Sequence, residues 1–372
     1  MRGTRSEIEP GQRLAFSQAA ECEEDLRPTR QYQLVRLSPN TNSTWNEDHP
    51  MKYYMTGATG FLSAYIIRDL VKEGHEVVVT DLAPHAEFVA DMVGDESLMK
   101  QVAIERLDVT DLGAMVLSMK QHKPQRVIHM ATLLGAASDA NPGLAIRVIQ
   151  GGTYNIMTAC VALDVEKLVY ASSANVTGLP HLFEGNEVPN DAFLTSADFY
   201  GVQKIGTEHL SRLFKDKYGL DSTGLRYMSI YGYGKAFNAA RGSLSPFHTE
   251  LIDNPALGKP GKAPYGDALL DWLYVEDGAR ATVLAANTPN TPSRGLNVCG
   301  QRATVNEVAE TVRKFIPDAQ LDVAPGDWKF PPYLYDAKAT ADEIGYTPEY
   351  SLEEGLRKNI DMLRTRAGLP TV

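Results

Sequence analysis

The stretch 53-YYMTGATGFLSAYII-67 joins a β-prone run to a helix-prone one through two glycines, Gly57 and Gly60. A strand, a glycine turn and a helix in that order let the backbone approach a pyrophosphate, with helix N-terminal amides facing its charge. Gly57 would make the tight turn out of the strand, and Gly60 would allow the close approach. A third glycine would fall at position 63, where Ser63 stands. That position governs how closely the helix packs on the strand, a demand that a small residue can meet.

Asp81 closes the next β-prone run, 76-EVVVTD-81. A carboxylate about 20 residues beyond the turn accepts from the ribose hydroxyls of NAD. It would repel a 2′-phosphate, and 82-LAPH-85 offers no arginine or lysine to hold one. NAD is therefore favoured over NADP.

Further strand-like runs follow at 102–108, 126–132, 167–173 and 222–232. Helix-like segments lie between them at 61–74, 111–122, 142–163 and 199–218. Short Val/Ile/Leu-rich strands alternating with helices predict a parallel sheet covered on both faces. The expected fold is α/β, a Rossmann-type doubly wound parallel sheet with a smaller, interleaved C-terminal substrate lobe. Residues 1–50 are polar, carry the acidic run 21-ECEED-25 and show no steady period, so they read as a poorly ordered or surface-lying extension. Residues 51–233 read as the NAD-binding domain. Residues 234–372 read as mainly substrate lobe and lid, with parts returning to the Rossmann core. The Gly- and Pro-rich stretch 234–267 is the lid. A last helix, 351–368, opens on a serine cap followed by glutamates.

A net charge of −11 argues against a nucleic-acid or anionic-membrane surface, and no apolar run approaches a membrane span. Cys22, Cys160 and Cys299 lie far apart, fitting a reducing, cytoplasmic compartment. The eight histidines show no metal-ligand spacing.

A second constellation is 198-DFYGVQKIGTEHL-210. Tyr200 and Lys204, four apart, share one helix face. An unperturbed tyrosine, with a pKa of about 10, is a poor base at neutral pH. A nearby ammonium and a positive nicotinamide ring would favour the phenolate. Ser173, ending the run 167-KLVYASS-173, would hold a substrate oxygen beside the phenol.

The chain resembles the extended short-chain dehydrogenase/reductase family, the NAD-dependent sugar epimerases, dehydratases and related dehydrogenases. The motifs are TGATGFLS, Asp81, 107-LDVTD-111, 129-HMAT-132, 171-ASSANVTG-178, 200-YGVQK-204, 226-RYMSIYGYG-234, 271-DWLYVEDGA-279 and 343-EIGYTPEYSLEEGL-356. They cover the chain from about Met51 to about residue 365. The resemblance implies a cofactor turn built from Gly57, Thr59, Gly60, Phe61 and Leu62, with Asp81 on the ribose. It implies that Asp108 and Val109 contact the adenine and that Met130, Ala131 and Thr132 line the dinucleotide. It further implies Ser173 as catalytic serine, with Ser172 the neighbouring candidate, Tyr200 as acid/base and Lys204 as its electrostatic partner. The helices at 142–163 and 200–218 resemble those that pair across a dimer interface, so a homodimer is expected.

Three departures bear on the substrate. Ile149 replaces the usual asparagine of N-x-x-G-T, Ser229 replaces that of R-x-x-N-V-Y-G, and Leu270 stands where a basic residue often precedes D-x-x-Y-V. They weaken the case for a nucleotide sugar, whose diphosphate needs amide donors and a positive clamp. No glutamate pairs with the catalytic residues, as the family's dehydratases require. The expected activity is hydride transfer between nicotinamide and a small hydroxylated substrate: a sugar, sugar acid, hydroxy acid, or aldehyde or alcohol. The alternatives are a nucleotide-sugar epimerase with tightly held NAD and, more remotely, a non-catalytic dinucleotide sensor. Leu134, Ser173, Asn175, Ser229 and Arg241 are expected to meet the substrate.

Overall fold

The structure is a computed structural model that describes residues 50–178, 183, 187–236, 246–327 and 334–372. The expectation for the N-terminal extension lies outside these residues except at Pro50, and Arg241 lies outside them too. In chain order the strands are β1 (Lys52–Thr56), β2 (Glu76–Asp81), β3 (Val102–Arg106), β4 (Arg126–His129), β5 (Lys167–Ala171), β6 (Glu187–Val188), β7 (Ser222–Tyr227), β8 (Ser229–Tyr231), β9 (Gly261–Ala263), β10 (Leu269–Tyr274), β11 (Gly295–Val298), β12 (Gln301–Thr304), β13 (Leu321–Val323) and β14 (Leu334–Tyr335).

Seven of these form one sheet in the order β11-β7-β5-β4-β1-β2-β3, with parallel pairing throughout. Its centre explains why both faces must be covered. In β1, Tyr53 and Tyr54 point to opposite faces by strand alternation, and both are fully buried. Burial of each such side chain stabilises by roughly 1.5–3 kcal/mol, provided its polar end finds a partner. The Tyr53 hydroxyl donates to Asn287 Oδ1 at 2.6 Å and the Tyr54 hydroxyl to Ser118 Oγ at 3.1 Å. Both partners sit on covering helices, Val275–Asn287 and Leu112–His122.

Two sequence expectations change in detail. The run 222–232 is two strands, because the chain leaves the large sheet after Tyr227. β8 then joins a three-stranded sheet in the order β12-β10-β8. The helical stretch 142–163 begins as one short turn, widens to π-helical spacing over Ile146–Gly151 and resumes as Gly152–Ala162. The closing helix is Leu352–Arg366. It has a reciprocal cap in which Ser351 Oγ accepts from Glu354 N and the Glu354 carboxylate accepts from Ser351 N. Among the described residues, no helix is long and apolar enough to cross a membrane.

Candidate active site

Strand register brings the motif residues to one edge. Thr56 lies opposite both Thr80 and His129, and His129 lies opposite Tyr170. The carboxyl ends of β2, β1, β4 and β5 are therefore level. Strand order reverses between β1 and β4, the crevice where ligands of such sheets bind.

At the turn, Gly57 has φ +61°, and a Cβ there would stand 2.5 Å from Ala131 N. No side chain fits, so the turn lies directly against the Met130–Ala131 backbone. The departure at position 63 also resolves: buried Ser63 donates from Oγ to Gly57 O at 3.1 Å and ties helix to turn. Gly60 caps the helix Phe61–Lys72 without a side-chain acceptor, which leaves first-turn amides for an anion. Asp81 Oδ2 accepts from Thr59 N at 3.2 Å and from Thr59 Oγ1 at 2.8 Å. A cradle that excludes a Cβ, an uncapped helix start and a carboxylate at the end of β2 fit a dinucleotide.

The remaining cofactor candidates lie just beyond the carboxyl ends of β3 and β4. Met130 N donates to Thr56 O at 2.9 Å, so the chain beyond β4 still tracks β1. Asp108 Oδ1 accepts from Thr110 N and Oγ1, and Asn155 holds the Val109 carbonyl at 3.0 Å. Thr132 and Leu134 lead into the short helix Gly135–Ala140, and Ser138 donates to the Leu133 carbonyl. An arginine that sequence reasoning missed also arrives here. Arg106, which ends β3 opposite Asp81, donates from Nε to Leu82 O at 3.1 Å.

Tyr200 and Lys204 stand in the first turns of the helix Phe199–Tyr218, capped by Asp198 Oδ1 on Gly201 N at 2.6 Å. The helix start presses against a loop, where a Cβ on Gly201 would stand 2.6 Å from Asn175 O. Lys204 is buried and donates from Nζ to Ala171 O at 2.6 Å, with Nζ 5.5 Å from the Tyr200 ring centre. Among the described residues no carboxylate pairs with it, and burial brings its ammonium down to about 7. A buried amine so shifted, with no carboxylate beside it among the described residues, marks a candidate for function. The Tyr200 phenol is pushed up to about 12, chiefly by burial; a hydrogen bond with Ser173 works against that and the Asp198 charge adds to it. His129 behind them bonds Thr56 Oγ1 and Thr153 Oγ1, and burial holds it neutral, down to about 3.

The two serines separate cleanly. Ser172 Oγ donates to Glu208 Oε1 at 2.6 Å inside a buried network with Arg226. Ser173 Oγ accepts from Asn175 N at 3.2 Å and faces Tyr200. Ser173 also lines a cleft of about 440 Å³ with Asn175, Asp198, Ser229, Leu270 and Asp271 among its walls. Three expected substrate residues thus share one cleft, while Leu134 is not among its lining residues. Asp198 and Asp271 each open a motif quoted above but were given no role there, because nothing local in either stretch marks a carboxylate for a wall built from five separate segments.

A doubly wound sheet carrying these groups at its switch point defines a nucleotide-dependent oxidoreductase. The chain belongs to the NAD dependent epimerase/dehydratase family, whose model matches residues 53–299. It is an NAD-dependent enzyme of the extended short-chain dehydrogenase/reductase type. It is 25% identical over 325 residues to a putative UDP-glucose 4-epimerase of Methanocaldococcus jannaschii, covering 83% of this chain and 97% of that one. A dTDP-glucose 4,6-dehydratase of Escherichia coli is 26% identical over 344 residues, 84% of this chain and 92% of the relative. Among solved structures, the Thermus thermophilus UDP-glucose 4-epimerase complex with NAD superimposes with a TM-score of 0.68 at 25% identity, covering 84% of this chain and 99% of that one.

Proposed function

We propose that this enzyme carries out net hydride transfer between NAD and a carbinol carbon of a small hydroxylated substrate, with Tyr200 as proton acceptor or donor. The observation that carries the reading is the meeting of three groups: Ser173, which lines the cleft, bonds the Tyr200 phenol, and Lys204 Nζ lies 5.5 Å from that ring's centre. When bound, NAD supplies the hydride acceptor and a positively charged ring. Ser173 holds the substrate oxygen beside the phenol. Tyr200 takes the hydroxyl proton during oxidation and returns it during reduction. Lys204, one helical turn on, favours the phenolate through its charge and is placed to hold the nicotinamide ribose. Gly57, Thr59, Gly60, Phe61 and Leu62 receive the pyrophosphate, and Asp81 receives the adenosine ribose. Asp108, Val109, Met130, Ala131 and Thr132 flank the dinucleotide.

A second reading, epimerisation of a nucleotide sugar with NAD regenerated in each turnover, is favoured by the activities named for the relatives. Leu270 and Ser229 in the cleft wall count against it, since neither supplies the charge or amide that a diphosphate requires. Purified protein mixed with NAD and a panel of polyols and sugars separates the two. Stoichiometric NADH supports net oxidation, and isomerised product without NADH supports epimerisation.

The functional unit we propose is a cytoplasmic homodimer. Ile146, Tyr154, Val202 and Leu213 are large apolar side chains left exposed on the two helical stretches expected at the interface, and covering them is favourable. The domain division at residue 233 belongs to the same proposal, with β11 returning to the large sheet from the C-terminal part. Sedimentation of the full chain tests the dimer, and a monomeric mass at micromolar concentration would exclude it.

A further inference from the structure

The glycine turn 56-TGATGFLS-63 holds no lysine, arginine or histidine. The uncapped start of the helix Phe61–Lys72 supplies roughly half a positive charge. A dinucleotide brings a negative charge on each of its two phosphates. The basic groups described so far are engaged elsewhere. Arg68 pairs with Asp69 and Glu276, Arg106 bonds the Leu82 carbonyl opposite the ribose carboxylate, and Lys204 bonds the Ala171 carbonyl.

A cation does reach this helix start, from the chain that follows β8. That chain runs across the helix, and the Tyr65 hydroxyl donates to Tyr233 O at 3.0 Å. Gly234, with φ +95°, lies so close that a Cβ there would stand 3.3 Å from Phe61 Cδ2 and 2.6 Å from Phe88 Cζ. A side chain at that position would lift the backbone away, whereas glycine brings the next residue down onto Phe61. Lys235 follows, with Nζ 5.6 Å from the centre of the Phe61 ring, within cation–π reach. Phe61 is the first residue of the helix, so the ammonium and the first free amide flank a single side chain.

That ammonium is without a partner of its own. Among the described residues no carboxylate or carbonyl accepts a hydrogen bond from it. Asp253 acts on it from farther off, and the Asp253 carboxyl, raised to about 7 by burial, accepts instead from Asn359 Nδ2 at 3.3 Å. Burial brings the lysine down to about 8, so it stays largely charged at neutral pH. Withdrawing a cation from water without a partner is unfavourable, and an anion offsets that. The flexible four-carbon stem lets the ammonium swing from the ring to an anion at the helix start.

We propose that Lys235 meets the pyrophosphate of bound NAD, so that a charge carried by the chain beyond residue 233 secures the cofactor at the start of the helix Phe61–Lys72. The proposal concerns the cofactor alone and holds for net oxidation and for epimerisation alike.

The test is calorimetric titration of the full chain, freed of bound nucleotide, with NAD, ADP-ribose and a UDP-hexose. Lys235→Met keeps an unbranched stem on Phe61 and deletes the charge, and Lys235→Arg keeps the charge. The Met variant should bind NAD and ADP-ribose about tenfold or more weakly, the loss of one charge-assisted hydrogen bond. The Arg variant should retain most of the affinity. Raising the salt concentration should weaken NAD binding more steeply in the parent than in Lys235→Met. Unfolding midpoints without ligand should match. If the Met variant fails to fold, Lys235→Gln takes its place. Unchanged affinity for NAD and ADP-ribose overturns the proposal, as does a loss that leaves the salt dependence of the parent intact. A loss confined to the UDP-hexose assigns the charge to a substrate phosphate and overturns it too.

Discussion

Ser172 and Ser173 are adjacent in the chain and serve different partners: the first donates to Glu208 at 2.6 Å, and the second faces the Tyr200 phenol. Their alanine variants should therefore fail differently. Ser173→Ala is expected to lower turnover about a hundredfold with normal unfolding, because a group that orients the reacting oxygen is lost. Ser172→Ala is expected to cost about 1–3 kcal/mol of stability through a lost bond to a buried carboxylate. Urea unfolding beside steady-state kinetics distinguishes them, and the reverse pattern would assign the roles the other way.

Removing the phenol tests the proton-transfer assignment itself. Tyr200→Phe keeps the ring over which Lys204 sits and deletes only the hydroxyl. Turnover should fall a hundredfold or more, while NAD titration remains close to that of the parent. Near-normal turnover would refute Tyr200 as the acid/base.

Asp198 gives a pH prediction with a definite sign. Its negative charge raises the Tyr200 phenol. Asp198→Asn keeps a side-chain oxygen to cap the helix but removes that charge, so the phenol ionises more readily. The limb of the kcat/KM profile set by Tyr200 should move to lower pH. A limb that stays in place, or moves to higher pH, excludes this coupling.

The pair of Glu208 and Arg226 is fully buried, with Nη2 to Oε2 at 2.7 Å and Nε to Oε1 at 2.8 Å. Arg226 holds the Glu208 carboxyl below the ordinary carboxylate range, burial alone having the opposite effect. A depressed folded-state pKa contributes stability above the unfolded value, about 4.3, that is lost as pH falls through the folded one. Glu208→Gln leaves Arg226 uncompensated and should cost about 3–5 kcal/mol at neutral pH. It should also flatten the acid dependence of the unfolding midpoint, and an unchanged midpoint at both pH values would rule out this account.

Asp81 sets the cofactor preference in this reading. Asp81→Ala removes the repulsion of a 2′-phosphate and leaves Arg106, opposite position 81 in the sheet and bonded to the Leu82 carbonyl, as a cation on the neighbouring strand. The NAD-to-NADP ratio of kcat/KM should fall, and an unchanged ratio would take Asp81 off the ribose.

The glycine turn, Asp81 and the Tyr200–Lys204 spacing were readable because each is a local pattern tied to one strand end or one helix face. The parallel sheet followed from alternation alone. The edge strand β11 escaped, because 295-GLNV-298 is only four residues long and sits among turn-rich sequence. The break at Met228 was equally hidden, since nothing in 222-STGLRYMSIYG-232 marks where the chain changes sheets. The cleft wall was unreadable for a different reason. Asp271 joins the wall only when Gly300 N donates to it from 29 residues away, and that contact exists only after folding.

Tyr200, Lys204 and Glu208 recur at every fourth position along one helix, and Arg226 and Arg294 clamp the last of them. The hydroxyl proposed to react thus rides on a lever whose fulcrum is the buried Glu208–Arg226 pair two turns away. Loosening that fulcrum would spoil the aim of the phenol without altering any group in contact with substrate, so slow variants of this enzyme are to be sought as much at the root of the helix as at its tip.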